Sequence, residues 1–181
     1  MTLLLRNPLS LIRWLLVGLC CLPAALMAVT AEVRISELDS DTAGEDKAEF
    51  IELQGPAGQS LKGYSLVLYN GSNGKAYQQW DLGNERLDNH GFWLLCGSSA
   101  EVRGCQLKVK DGFLQNGPDA VALYQQPLAA LDLSKGVVTR DLADALVYGT
   151  GKADALLPLL AGDKSFASEQ AGNAKDRDSL Q

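Results

Sequence analysis

The chain has 181 residues, a length typical of a single domain, and its 16 Lys and Arg against 22 Asp and Glu give a formal net charge of −6 at pH 7. Proteins that bind nucleic acid by neutralising phosphates need clustered Lys and Arg, so we expect no nucleic-acid partner. The single histidine, His90, excludes a zinc centre rich in His and leaves one candidate base for a Ser-His-Asp triad.

The first 31 residues have the pattern of a secretory signal peptide. Arg6 and Arg13 precede a long uncharged stretch that ends in small residues. Cleavage is expected after Ala28 or after Ala31, and we favour Ala31. An uncleaved amino-terminal anchor is the alternative, because the stretch is nearly long enough to span a bilayer. We therefore expect an exported protein, periplasmic, cell-surface or secreted, with no membrane span after cleavage.

Two cysteines remain after cleavage, Cys96 and Cys105, separated by eight residues. In an oxidising compartment we expect them to form one disulfide. A redox-active or metal-binding pair is the alternative, which this spacing fits poorly. The spacing is also far too short for a bridge between two sheets of the antibody type, so the disulfide is expected to hold a loop between neighbouring strands.

Short apolar runs separated by Gly and Asn turn signals dominate the mature chain, and no convincing amphipathic helix competes with them. Only the first run alternates cleanly between apolar and polar residues. The others are apolar on both faces, as expected when one face packs on a second sheet and the other is partly covered. The pattern predicts an all-β fold, an antiparallel β-sandwich over residues 32–155. The seven runs cover residues 33–36, 50–53, 64–69, 76–80, 92–96, 120–124 and 145–148.

Residues 156–181 are expected to form a loosely ordered C-terminal tail. An apolar patch over residues 156–160 opens it. The rest consists mainly of Ala, Gly, Asp, Lys and Ser, which offer almost nothing to bury.

The order of several segments resembles the lamin tail domain as it occurs in exported bacterial proteins. These segments are residues 33–37, 49–53, 61–66, 70–74, 91–96, 105 and 114–123. The resemblance implies an immunoglobulin-like sandwich that serves as a non-catalytic module, often attached to secreted nucleases, phosphatases or surface proteins. Members of the family usually continue past a segment like Ser179-Leu180 into a closing strand, whereas this chain stops at Gln181. Either the sandwich lacks its last strand or the reading frame is shortened.

The acidic segment after the first run contains one candidate calcium site. Asp39, Asp41 and Asp46 supply the carboxylate oxygens that calcium prefers, and Gly44 permits a tight bend between them. The segment is not an EF-hand loop, because the twelfth position counted from Asp39 is Phe50. A solvated acidic loop is the alternative, and we favour it. No other cofactor is expected.

Glu49 and Glu52 are three residues apart on a predicted strand, which places them on opposite faces. They therefore cannot form a glycosidase-type pair, whose carboxylates converge on one bond. We expect one of them to accept a hydrogen bond from the backbone at the end of the strand.

His90 and the aromatic residues are the remaining candidates for a site. No nucleophile motif accompanies His90, so we predict no catalytic residues and no enzyme activity. The aromatic side chains are numerous enough for a carbohydrate or peptide platform, although aromatic strand residues usually belong to the core, which we favour. They are Tyr64, Tyr69, Tyr77 and Trp80.

Taken together, these patterns predict an exported, non-catalytic binding or tethering module that recognises a protein or glycan at the cell envelope. It is expected to be monomeric or to self-associate weakly, and to bind through an exposed sheet edge or its turn loops. One alternative is an accessory domain of a secreted nuclease or phosphatase system. Another is a metal-dependent hydrolase that uses the carboxylates between Asp39 and Glu49.

Overall fold

The computed structural model describes residues 32–40, 48–149 and 151–160. The predicted signal peptide and the tail from residue 161 onward lie outside the described residues. The described part consists of eight strands and three short 3₁₀ helices. The strands are β1 (Arg34–Asp39), β2 (Phe50–Gln54), β3 (Ser65–Asn70), β4 (Ala76–Asp81), β5 (Phe92–Gly97), β6 (Cys105–Val109), β7 (Asp119–Tyr124) and β8 (Leu142–Tyr148). The helices are η1 (Leu128–Ala130), η2 (Leu133–Lys135) and η3 (Asp154–Leu160).

The strands form two four-stranded sheets, ordered β1-β2-β5-β6 and β4-β3-β7-β8. The sheets pack face to face around a shared apolar core, which confirms the predicted all-β sandwich. The expectation of wholly antiparallel pairing is wrong at one place, because β5 and β6 pair in parallel. The segment over residues 98–104 is long enough to carry the chain back beside β5, so that Cys105 lies opposite Leu94. The immunoglobulin-like strand arrangement stays a prediction.

The two central strands of the second sheet, β3 and β7, are buried on both faces. Because side chains alternate along a strand, Leu66 and Val121 face the first sheet while their neighbours Val67 and Ala122 face outward. The outward set packs beneath η3 and the segment over residues 128–138. η3 and the segment over residues 128–138 thus form a third layer on the outer face of the second sheet. This layer confirms the prediction that the outer face is partly covered, and it explains why β3 and β7 are continuous apolar runs in the sequence.

Part of the predicted C-terminal tail belongs to the folded domain, which corrects its boundary at residue 156. Leu156 and Leu159 are 0% exposed, because η3 folds them against β7 and β8. The apolar patch is therefore the last element of the described core.

Candidate functional site

The disulfide fastens a loop to the outer face of the first sheet. Cys96 of β5 and Cys105 of β6 are bonded, with their Cα atoms 6.0 Å apart, which confirms the predicted pairing between neighbouring strands. The loop over residues 98–104 covers a small apolar cluster that includes Phe50 and Leu94. The disulfide therefore holds the start of β6 beside β5.

One open side of the sandwich, where β1 and β8 approach each other, is closed by a carboxylate. The backbone N–H of Ile35 in β1 donates to Asp144 Oδ2 at 2.9 Å, and the N–H of Ala145 in β8 donates to Asp144 Oδ1 at 2.8 Å. Asp144 thus satisfies one backbone donor on the edge strand of each sheet. An added strand would have to displace these bonds, so this side is a poor template for pairing.

On the opposite side the edge strands are β4 and β6. The two sheets meet there through an edge-to-face contact between Trp80 of β4 and Phe113, whose ring centroids are 6.0 Å apart. η1 covers one end of β4, where the N–H of Leu128 donates to Asp81 Oδ2 at 3.3 Å. Within the part of the chain that the structure describes, β6 pairs with β5 alone. Unlike β4, which η1 also contacts, β6 packs substantially against no second described element.

The side chains of β6 alternate along the strand. Leu107 and Val109 are half-buried against the core between the sheets, whereas Gln106 and Lys108 are exposed. Lys110 follows just after the strand and is also exposed. The ammonium group of Lys108 donates to the carbonyl of Ala100 at 3.3 Å. A charged side chain on an edge strand is a common protection against unwanted pairing.

Of the three predicted calcium ligands, the structure describes only Asp39, at the end of β1. Asp39 is buried at the end of this strand, whereas Asp41 and Asp46 lie outside the described residues. The described ranges contain no group of three or more His, Cys, Asp or Glu side chains arranged to hold a metal ion. The calcium site stays a prediction.

Glu49 fastens the connection between the two sheets at this same end. Its carboxylate is 1% exposed, and Oε2 accepts the N–H groups of Gly112 at 2.6 Å and Phe113 at 3.3 Å. These residues belong to the segment between β6 and β7. The expectation that one of the two glutamates binds backbone is confirmed, and Glu49 has a structural role.

Glu52 lies on the outer face of β2, opposite to the face of Glu49, as predicted. Ser36 Oγ donates to its Oε1 at 2.7 Å. Partial burial raises the pKa of Glu52, and repulsion by Glu37 and Asp88 raises it further. The two glutamates therefore act in separate surroundings and do not converge on one substrate bond.

Asp111 orders the start of the loop that carries the disulfide. Its carboxylate accepts hydrogen bonds from Ser99 Oγ at 2.6 Å, Ser99 N at 2.8 Å and Ser98 Oγ at 2.9 Å. These bonds, led by the one from the Ser99 hydroxyl, lower the pKa of Asp111. Asp111 is therefore ionised at neutral pH and holds the backbone after β5.

A buried polar network that the sequence analysis did not identify lies near the start of β7. Asp119 is 2% exposed and its Oδ1 accepts the N–H of Gly71 at 2.8 Å. Burial raises the pKa of Asp119 and raises that of nearby Tyr77 to about 12. The Oη atoms of Tyr77 and Tyr148 are 3.4 Å apart, and Tyr148 donates to the carbonyl of Gln115 at 3.1 Å. The network joins β4, β7 and β8 of the second sheet to the turn after β3 and to the segment that precedes β7.

His90 is exposed in the turn before β5. The nearby carboxylate of Asp88 accepts the backbone N–H groups of His90 at 2.8 Å and Phe92 at 2.9 Å, so it stabilises the turn. These bonds, led by the one from Phe92, lower the pKa of Asp88. Asp88 therefore acts as a turn cap.

The aromatic residues considered as a platform belong to the packed interior. Tyr64 and Tyr69 are buried, and Tyr77 and Trp80 are half-buried against the core. Tyr69 Oη lies 3.0 Å from Tyr124 Oη beneath the third layer. The expectation that these side chains are structural is confirmed.

No protein-family model and no curated protein matches the chain. The likeness to the lamin tail domain therefore stays a prediction based on the segments quoted above. No helix in the described residues has both the length and the apolar character needed to cross a membrane.

Proposed function

We propose that this protein is an exported, non-catalytic binding or tethering module that recognises a protein or glycan partner at the cell envelope. The observation that carries the proposal is the asymmetry between the two open sides of the sandwich. Asp144 closes the side formed by β1 and β8, while on the other side β6, among the described residues, packs substantially against β5 alone. Free strand edges are surfaces on which partner chains bind.

The hydrogen bonds that the acidic side chains already make support a binding role over a catalytic one. Glu49, Asp88, Asp111 and Asp144 each accept hydrogen bonds from backbone N–H groups and hold loops or edges in place. A catalytic carboxylate needs a free oxygen directed at a substrate. The hydrolase alternative would use the carboxylates between Asp39 and Glu49, and of these the Glu49 carboxylate already holds the backbone of Gly112 and Phe113.

Export is supported by the leader-like first 31 residues and by the disulfide between Cys96 and Cys105. Structural disulfides persist in oxidising compartments. Amino-terminal sequencing of the protein recovered from the host's periplasm or medium tests this part of the proposal, and a mature form that begins after Ala28 or Ala31 is expected.

Crosslinking in intact cells followed by affinity recovery tests the binding role. We expect a wall, membrane or surface component to be recovered in a fixed ratio to the protein. Recovery of a nuclease or phosphatase would instead support the accessory role. The purified protein should not hydrolyse phosphodiesters or phosphomonoesters with magnesium, manganese or calcium, and metal-dependent turnover would refute the proposal.

A further inference from the structure

We propose that the free edge of β6 binds an extended segment of another protein in which apolar and acidic side chains alternate. The inference rests on the proposed function as a binding module and identifies both the surface and the chemistry of the partner. The segment would pair with β6 through backbone hydrogen bonds and become a fifth strand of the first sheet.

The side chains of β6 determine what pattern the added strand needs. Leu107 and Val109 face the core between the sheets and are only half-buried. Lys108 and Lys110 face the opposite way and are exposed. Residues directly across a strand pair share a face, so one set of partner side chains would cover Leu107 and Val109, and the alternate set would lie beside the lysines. Apolar residues suit the first position and carboxylates the second.

The local charge favours the same partner. Residues 101–111 contain three positive charges, Arg103, Lys108 and Lys110, against the two carboxylates Glu101 and Asp111, in a chain whose net charge is −6. Opposite charges across neighbouring strands stabilise pairing, and like charges destabilise it. An acidic segment is therefore attracted to this edge of an otherwise acidic protein.

The lysines also argue against a second copy of this chain as the occupant. Two β6 strands related by a two-fold axis would pair in antiparallel fashion, with the same residues from each copy side by side. Lys108 and Lys110 of one copy would then face those of the other, and this repulsion disfavours the dimer. The edge is thus selective for a different, acidic chain.

Two synthetic peptides test the proposal directly. The probe is an eight-residue peptide with alternating Glu and Val, blocked at both ends, and the control has Lys in place of every Glu. Amide hydrogen exchange of the full protein is followed residue by residue at low salt. We expect the Glu-Val peptide to slow exchange in β6 at least tenfold and to bind more weakly as salt is added, because salt screens exposed charges. The Lys-Val peptide should leave β6 unchanged.

A charge-reversal variant separates strand pairing from non-specific attraction. Lys108→Glu with Lys110→Glu should weaken binding of the Glu-Val peptide about tenfold and create binding of the Lys-Val peptide at the same edge. The gained affinity also shows that the variant is folded. The matched control, Lys62→Glu with Lys75→Glu, makes the same charge change at exposed sites elsewhere and should keep the wild-type preference.

Protection at another strand, or the same response in both double variants, would overturn the proposal. The experiments distinguish failure of this edge proposal from failure of the proposed binding role. If crosslinking in cells recovers an envelope partner while the peptides leave β6 unprotected, the edge proposal is wrong and the proposed binding role still holds. If crosslinking recovers no partner, the binding role itself is wrong.

Discussion

Replacing Glu49 by alanine should destabilise the domain by about 3 kcal/mol. The substitution removes an acceptor that the N–H groups of Gly112 and Phe113 share at 2.6 and 3.3 Å, at a site that is 1% exposed. Each backbone donor left without a partner in a buried setting costs roughly 1–3 kcal/mol, and the longer bond is expected at the low end of that range. Because both donors lie in the segment between β6 and β7, the loss should loosen the connection between the two sheets.

Urea unfolding followed by far-ultraviolet circular dichroism measures this cost, with the slope of free energy against urea checked for change. Glu52→Ala is the matched control, since this glutamate lies three residues further along in β2, is half-buried and accepts one side-chain hydrogen bond from Ser36. Its raised pKa shows that its surroundings disfavour the charged form, so we expect a change within about 0.5 kcal/mol. Equal effects of the two substitutions would refute the assignment of Glu49 as the main anchor.

Three further changes test other parts of the structure. Because the pKa of Asp119 is raised above its ordinary value of 3.8, the folded state binds more protons than the unfolded state above that pH, and its stability falls as pH rises through this range. Asp119→Asn should remove this contribution to the pH dependence of stability measured by unfolding between pH 4 and 7, and an unchanged slope would show that Asp119 titrates normally. Serine at both Cys96 and Cys105 should reduce the free energy of unfolding by about 2.7 kcal/mol, the chain-entropy value for so short a loop, and thermal unfolding with and without reductant provides the comparison. Asp144→Ala should accelerate amide exchange at Ile35 and cost about 1–2 kcal/mol, whereas continued protection of that amide would show that the β1 and β8 side closes by other contacts.

Most of the strands could be predicted because each apolar run is short and is bounded by Gly or Asn. The strand β6 is the exception. Its alternation of Leu107 and Val109 with polar neighbours is a regular strand pattern, but none of the seven predicted runs includes residues 105–109. A search for period-two alternation after Cys105 would have found it.

The parallel pairing of β5 and β6 and the third layer depend on contacts between distant residues. Neither the return of the loop over residues 98–104 nor the burial of Leu156 follows from local propensity. The role of Asp144 is of the same kind, because its carboxylate bonds the backbone of Ile35, which is 109 residues away in the chain. The free edge of β6 could therefore be identified only once the order of the strands was known.

Photocrosslinking from β6 in the host cell tests the central claim most directly. Gln106 on β6 and Gln78 on β4 are both exposed glutamines on edge strands, and each is replaced in turn by a photoreactive amino acid. We predict that irradiation joins position 106 to an envelope protein, within a segment of alternating apolar and acidic residues, and that position 78 gives no such product. Equal capture from both positions, or capture from position 78 alone, would contradict it.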